Sequence, residues 1–270
     1  MDSKRKYSII VVTFNNADGL ERTLDSIRLL NYGQKEVIVI DGGSKDGSLD
    51  IMDKNEDIIT VAVSEKDKGI YNAMNKGIKY ATGDYVVFMN AGDIFAHKDV
   101  LSLVNKFDGD IILGGENYGG QIRMVKKSMS LYDILSIGIN HQAVYYRKDI
   151  LQKYGFDESY KLIADLKSVV EPLAKEKISI SCITEVLAIC EGGGVSKQRW
   201  RDTLIENRRI INEVIDPFYK EDYIRFARIN NSMLSEFIVL SYFHSFFPLL
   251  RAIARTARFL NGKFKHIPID

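Results

Sequence analysis

Carboxylates and side-chain amides placed directly after short apolar runs are the residues of this chain best suited to chemistry. Asn90-Ala91-Gly92-Asp93 follows the run Tyr85–Met89, and Asp41-Gly42-Gly43-Ser44-Lys45-Asp46-Gly47 follows Glu36–Ile40. Thr13-Phe14-Asn15-Asn16 closes the run that starts at Tyr7. A carboxylate at a strand end can hold Mg2+ or Mn2+ through oxygen while the ion bridges a diphosphate, which makes Asp93 a candidate metal ligand. Asp41 could accept hydrogen bonds from a base N–H or a ribose hydroxyl, in a crevice on which the polar ends of neighbouring strands converge. The plainer reading gives Asn15, Asp41 and Ser44 to turns and helix caps. Neither turn is a G-x-G-x-x-G or P-loop sequence, which would hold phosphate on a helix N-terminus. The phosphates of a nucleotide would need another partner here, and a cation at Asp93 would be one.

The elements that must position these side chains alternate in type. Strand-like runs at Tyr7–Phe14, Glu36–Ile40, Ile58–Val63, Tyr85–Met89 and Asp110–Leu113 are separated by segments with helical spacing. Leu20, Leu24, Ile27 and Leu30 share one helical face, as do Ile70, Ala73/Met74, Gly77/Ile78 and Ala81. Apolar strands alternating with helices predict an α/β fold with a mostly parallel central sheet covered on both faces. Thr82-Gly83-Asp84 is expected to end the third helix through a glycine C-cap. Past about residue 115 the alternation weakens, with strands predicted at Gln121–Lys127, Ala143–Tyr146 and Ile178–Ile189 and helices at Tyr132–Ser136 and Ala164–Lys175. From Gln198 onward the pattern is helical. The expected division is an α/β core over 1–196 and a helical C-terminal region over 197–270. At the junction, Glu191-Gly192-Gly193-Gly194-Val195-Ser196-Lys197-Gln198-Arg199 is either a hinged loop bringing Lys197 or Arg199 to phosphate, or a plain linker.

Composition narrows the function classes. The 270 residues can bury a full core, and 37 basic against 36 acidic side chains leave no overall field for nucleic acid. Cys182 and Cys190 stand in an apolar segment without a neighbouring His or Cys pair, favouring reduced core thiols over a metal site or disulfide. The apolar run Ile9–Val12 suits a strand and is too short for a signal peptide, so a cytoplasmic protein is expected.

Taken in order, TFNN, VIDGGSKDGS, EKDKGIYNAMNKGIKYATGDYVVFMNAGD, NHQAVYYRKDI and YKLIADLKSV resemble the family 2 glycosyltransferases of GT-A fold over about residues 7 to 196. The similarity is strongest to bacterial colanic-acid and capsular polysaccharide transferases. The resemblance implies an inverting, metal-dependent hexosyltransferase that uses a nucleotide-diphosphate sugar. It implies that Thr13, Asn15 and Asp41 hold the nucleoside, with Asp67 and Asn72 or Asn75 nearby, and that Asp93 is the last acid of the DxD-type metal motif. Many relatives carry further acids where this chain has Asn90 and Gly92, so a single carboxylate remains for Mg2+ or Mn2+. Inversion needs a base facing the anomeric carbon from the side opposite the leaving diphosphate. Asp165 matches the family's catalytic position, ahead of Asp157 and Glu158. Its other role would be to cap the following helix, which Pro172 interrupts. His141 falls in a family motif and is expected to contact acceptor or diphosphate.

Phe237–Leu250 carries no formal charge and is followed by Arg251, Arg255 and Arg258. The run is shorter than the roughly 18–20 residues that span a bilayer, and suits an interfacial helix on an anionic inner membrane face. Its phenylalanines could equally pack on the catalytic domain or on a second subunit of a homo-oligomer. The acceptor implied by the resemblance is a glycan or lipid-linked glycan. Two other readings stay open: a degenerate, non-catalytic nucleotide-binding adaptor, and a nucleotidyltransferase, whose usual basic glycine-rich loop TFNNADG lacks.

Overall fold

The computed structural model describes residues 4–192 and 199–217. The chain divides into two compact units, Met1–Ile210 and Ile211–Asp270. The expected boundary at 196/197 lies outside the described residues, as do Lys197 and the whole of Phe237–Arg258.

The first unit is built on three strands whose side chains are almost all buried: β1 (Tyr7–Thr13), β2 (Lys35–Asp41) and β4 (Tyr85–Asn90). They pair in parallel, with β3 (Val61–Ser64) outside β2. Helix α1 (Ala17–Arg28) lays Leu20, Leu24 and Ile27 on this sheet, each fully buried. Each such side chain contributes about 1.5–3 kcal/mol through burial. Asn16 caps α1 by accepting from the Gly19 N–H at 3.1 Å. Helices α2 (Ser48–Lys54) and α3 (Ile70–Tyr80) complete the first three crossovers, and the buried face of α3 is Tyr71, Ala73, Met74, Gly77 and Ile78.

Beyond β4 the sheet turns mixed. Its order is β3-β2-β1-β4-β8-β6-β9-β5, with β7 (Gln121–Arg123) on β6 (Ile111–Tyr118). Strand β8 (Val144–Arg147) runs antiparallel to both β4 and β6. Strand β9 (Ile180–Cys190) is parallel to β6 and antiparallel to the two-residue β5 (Ile94–Phe95). The parallel arrangement expected from the sequence therefore describes β3 to β4 and the β6–β9 pair, while β5, β7 and β8 run antiparallel to their neighbours. The remaining helices of the first unit are α4 (Val100–Val104), α5 (Leu131–Ile137), α6 (Lys148–Tyr154) and α7 (Ala164–Lys175), and α8 is Trp200–Val214.

Three expectations need correction. The third strand starts at Val61 rather than Ile58, because the amides of Ile58 and Ile59 close a turn on the Asn55 carbonyl. The strand expected over Gln121–Lys127 is three residues long. Gly83 is not the cap of α3, which ends at Ala81 in extended backbone. It is needed for close approach: a Cβ there would lie 2.8 Å from the Lys6 carbonyl and the Ser8 amide. Pro172 is accommodated inside α7, and both cysteines are free, Cys190 in the core and Cys182 only partly buried.

The register places the site. Thr13 is opposite Asp41, Asp41 opposite Ser64 and Val12 opposite Asn90, so four strand ends lie level along one carboxyl edge. Between β1 and β4 the strand order reverses direction, the place where open α/β sheets form a ligand crevice.

Candidate active site

The β1 and β2 ends are stitched into one polar wall. Asp41 is fully buried, and its Oδ2 accepts from the amides of Gly43 and Ser44 at 3.1 and 2.9 Å and from Ser64 Oγ at 2.6 Å. Its Oδ1 accepts from Ser44 Oγ. The carboxylate is thus occupied first by its own turn. Asn15 sits at φ 49°, in the left-handed region, and bridges to the same turn. Its amide donates to Ser44 Oγ at 2.7 Å and its Oδ1 accepts from the Lys45 amide at 2.9 Å. Thr13 is buried, and its hydroxyl finds no partner among the described residues. Asp67 caps the Gly69 amide at 2.9 Å through Oδ1, while its Oδ2 stands over Gly42, 2.6 Å from where a Cβ would be. Phe14 closes this wall from the other side and is 62% exposed. It is an aromatic face that sequence reasoning passed over because it looked like the end of a strand.

Asn72 and Asn75 are engaged with neighbouring loops, Asn72 Oδ1 accepting from the Lys68 amide at 3.2 Å beside Asp67. Both donate to the Glu158 carboxylate at 3.0 Å, and Asn75 also exchanges hydrogen bonds with the Phe156 backbone. Asp157 is held by Lys167 at 2.7 Å. Both acids that rivalled Asp165 are therefore engaged in holding this loop. Arg199 pairs with Asp202 at the start of α8.

At the β4 end two carboxylates are held by one turn. Asp93 is 7% exposed, and its Oδ2 accepts from Gln142 Nε2 at 2.5 Å and its Oδ1 from the Glu191 amide at 3.2 Å. Burial raises its pKa above the ordinary carboxylate value, opposed chiefly by Gln142 and His141. Asp165, in the first turn of α7, is 9% exposed. It does not cap the helix; its Oδ1 accepts from Tyr71 Oη at 3.3 Å and its own Leu166 amide at 2.9 Å, and its Oδ2 lies 2.9 Å from His141 Nδ1. His141 Nε2 lies 3.2 Å from Asn90 Oδ1. Consecutive residues of one short 3-10 turn, His141 and Gln142, therefore tie Asp165 and Asp93 to each other and to the end of β4. In the sequence Tyr71 and Gln142 belong to KGIYNAMNKG and NHQAV and carry no local signal of these contacts.

Residues 8–154 match the family model described as Glycosyl transferase family 2. The chain belongs to that family. It is a glycosyltransferase. An uncharacterized glycosyltransferase of Mycobacterium tuberculosis is 32% identical over 200 residues, covering 68% of this chain and 75% of its own. A PGL/p-HBAD biosynthesis glycosyltransferase of Mycobacterium bovis is 31% identical over 175 residues, covering 59% of this chain and 66% of its own. Among solved structures, the mannosyltransferase of Pyrobaculum calidifontis in complex with GDP-Man and Mn2+ superposes with a TM-score of 0.63 at 18% identity. It covers 95% of this chain and 80% of that one, so the two share the GT-A fold.

Proposed function

We propose that this glycosyltransferase moves a sugar, with inversion, from a nucleotide-diphosphate donor to a hydroxyl of a surface glycan or lipid-linked glycan. The observation carrying the proposal is the joined pair Asp93 and Asp165, a buried carboxylate at a strand end and a second one oriented by His141. The base of the donor would lie in the β1–β2 wall, against the Phe14 ring and near Asp67 Oδ2 and the Thr13 hydroxyl, which has no partner among the described residues. Asp41 and Asn15 would shape that wall, since their polar atoms are already engaged.

The residues present fit a divalent cation. Asp93 offers a hard oxygen donor, and the adjoining Gln142 leaves Oε1 without a partner among the described residues while its residue is 95% buried. Among the described residues no group of three or more His, Cys, Asp and Glu side chains could hold a metal alone, so diphosphate oxygens and water would complete its shell. A bound Mg2+ or Mn2+ would neutralise charge gathering on the departing diphosphate. Asp165 would take the proton of the acceptor hydroxyl as its oxygen bonds to the anomeric carbon and the electron pair of the breaking bond leaves with the diphosphate. An α-linked donor then gives a β-linked product. His141 would hold Asp165 in place, and Tyr71 would fix its other oxygen.

The acceptor class rests on the family resemblance and on a relative named for PGL biosynthesis. Membrane contact rests on the sequence of 237–258; among the described residues no helix is long and apolar enough to cross a membrane.

A thermal-shift panel of uridine, guanosine, cytidine and thymidine diphosphates, each with Mn2+, Mg2+ or chelator, tests the donor site. A ligand at 100 times its Kd adds about 2.7 kcal/mol of stability, which is roughly 5–10 °C for a chain of this size. The expected result is a base-selective shift, enhanced by metal and lost in Asp93→Ala. A shift indifferent to metal would remove Asp93 from this role. Binding of nucleotide sugar without turnover would favour an adaptor, and pyrophosphate release from a nucleoside triphosphate would favour a nucleotidyltransferase.

A further inference from the structure

The sequence leaves Asp93 alone where other acids are expected, yet the fold brings a second carboxylate to it. Strands β5 and β9 run antiparallel with Ile94 opposite Ile189 and Phe95 opposite Ala188. The same register, continued past the strand ends, sets Gly92 opposite Glu191. The side chain lies there: a Cβ on Gly92 would fall 2.6 Å from both Cδ and Oε2 of Glu191. Gly92 also sits at φ 109°, where glycine is favoured, so the position opposite Glu191 is suited to the one residue that leaves space for its carboxylate. The Glu191 amide meanwhile holds Asp93 Oδ1 at 3.2 Å.

A second observation points to a ligand at this place. Gln142, 5% exposed, spends Nε2 on Asp93 Oδ2 and leaves Oε1 without a partner among the described residues. A buried amide oxygen with no donor is costly unless something electropositive arrives. Each Asp93 oxygen has one donor and so retains acceptor capacity.

We propose that Glu191 is a second carboxylate ligand of the cation held at Asp93, supplied from the end of the last strand in place of the acids missing at Asn90 and Gly92. This rests on the reading of Asp93 as a metal ligand. In the free protein Glu191 pairs with Arg22, both side chains being 51% exposed. An exposed pair of this kind contributes little and exchanges readily. It keeps the carboxylate over Gly92 until a cation competes for it. Two carboxylates and an amide oxygen match the preference of Mg2+ and Mn2+ for oxygen donors, with the remaining positions left to diphosphate and water.

The test is Mn2+ binding to the full chain, followed by electron paramagnetic resonance of free Mn2+, alone and with UDP or GDP. Glu191→Gln keeps the shape of the side chain and removes its charge; it is expected to weaken Mn2+ binding at least about tenfold. Arg22→Ala removes the same ion pair and leaves Glu191 intact, so it is expected to keep Mn2+ affinity within about twofold of the parent. Circular dichroism without metal checks that both variants are folded. Unchanged affinity in Glu191→Gln would overturn the proposal. So would equal weakening in both variants, which would assign Glu191 to holding the loop through Arg22. Absence of Mn2+ binding in the parent chain, with and without nucleotide, would remove the metal role of Asp93 itself and the proposal with it.

Discussion

Asp165 carries the heaviest assignment of any single side chain. Its carboxylate, 9% exposed, is surrounded by three donors, the Leu166 amide, Tyr71 Oη and His141, which fix its direction. The acids nearest in sequence are already committed, Asp157 to Lys167 and Glu158 to Asn72 and Asn75. Asp165→Asn preserves volume and removes the proton acceptor, so turnover is expected to fall about 10²–10⁴-fold. Donor binding, read by the thermal shift with nucleotide and Mn2+, is expected to persist. Steady-state kinetics beside that binding measurement separates the two. A variant with near-parental turnover would place the base elsewhere.

Strands and their connections decide both what is stable and what was legible. At the edge of the sheet opposite the site, Glu36 in β2 is 5% exposed and accepts from Lys6 Nζ, Ser8 Oγ, and the Thr82 amide and hydroxyl. Burial alone would raise its pKa, but these donors outweigh it and hold the carboxyl at about 2. A depressed pKa contributes stability that is present above the unfolded value near 4.5 and is lost as pH falls toward 2. The stability difference between the parent and Glu36→Gln in urea titrations is therefore expected to narrow by roughly 2 kcal/mol from pH 7 to pH 3. A constant difference would assign the contribution to packing. The strands β1, β2 and β4 were readable because they are buried on both faces and appear as unbroken apolar runs, and the polar residues at their ends follow directly. What escaped was set by distant pairing. Ile94-Phe95 has no period of its own and becomes β5 only against Ile189 and Ala188. Glu191 lies in a glycine-rich stretch, and only that pairing carries it to Gly92. Gly83 looked like a helix cap because Thr-Gly-Asp is a common stop, yet it is there because β1 passes too close for a Cβ. Likewise, no local signal tells that both amide atoms of Asn75 turn to the Phe156 backbone.

Across the first compact unit, the carboxyl edge gathers the polar wall of β1 and β2, Asp93 from the β4–β5 turn and Asp165 from α7, with the His141–Gln142 turn between the last two. The roles proposed for these residues have a stereochemical consequence. A base facing the anomeric carbon opposite the diphosphate permits one displacement and therefore inversion. Proton NMR of the sugar product formed from an α-linked nucleotide-diphosphate sugar, recorded before mutarotation, tests this most directly. Where no acceptor is supplied, the product of slow donor hydrolysis serves the same purpose. A β-anomeric signal appearing first, and absent with Asp165→Asn, is the predicted result. An α-anomer appearing first would contradict the account.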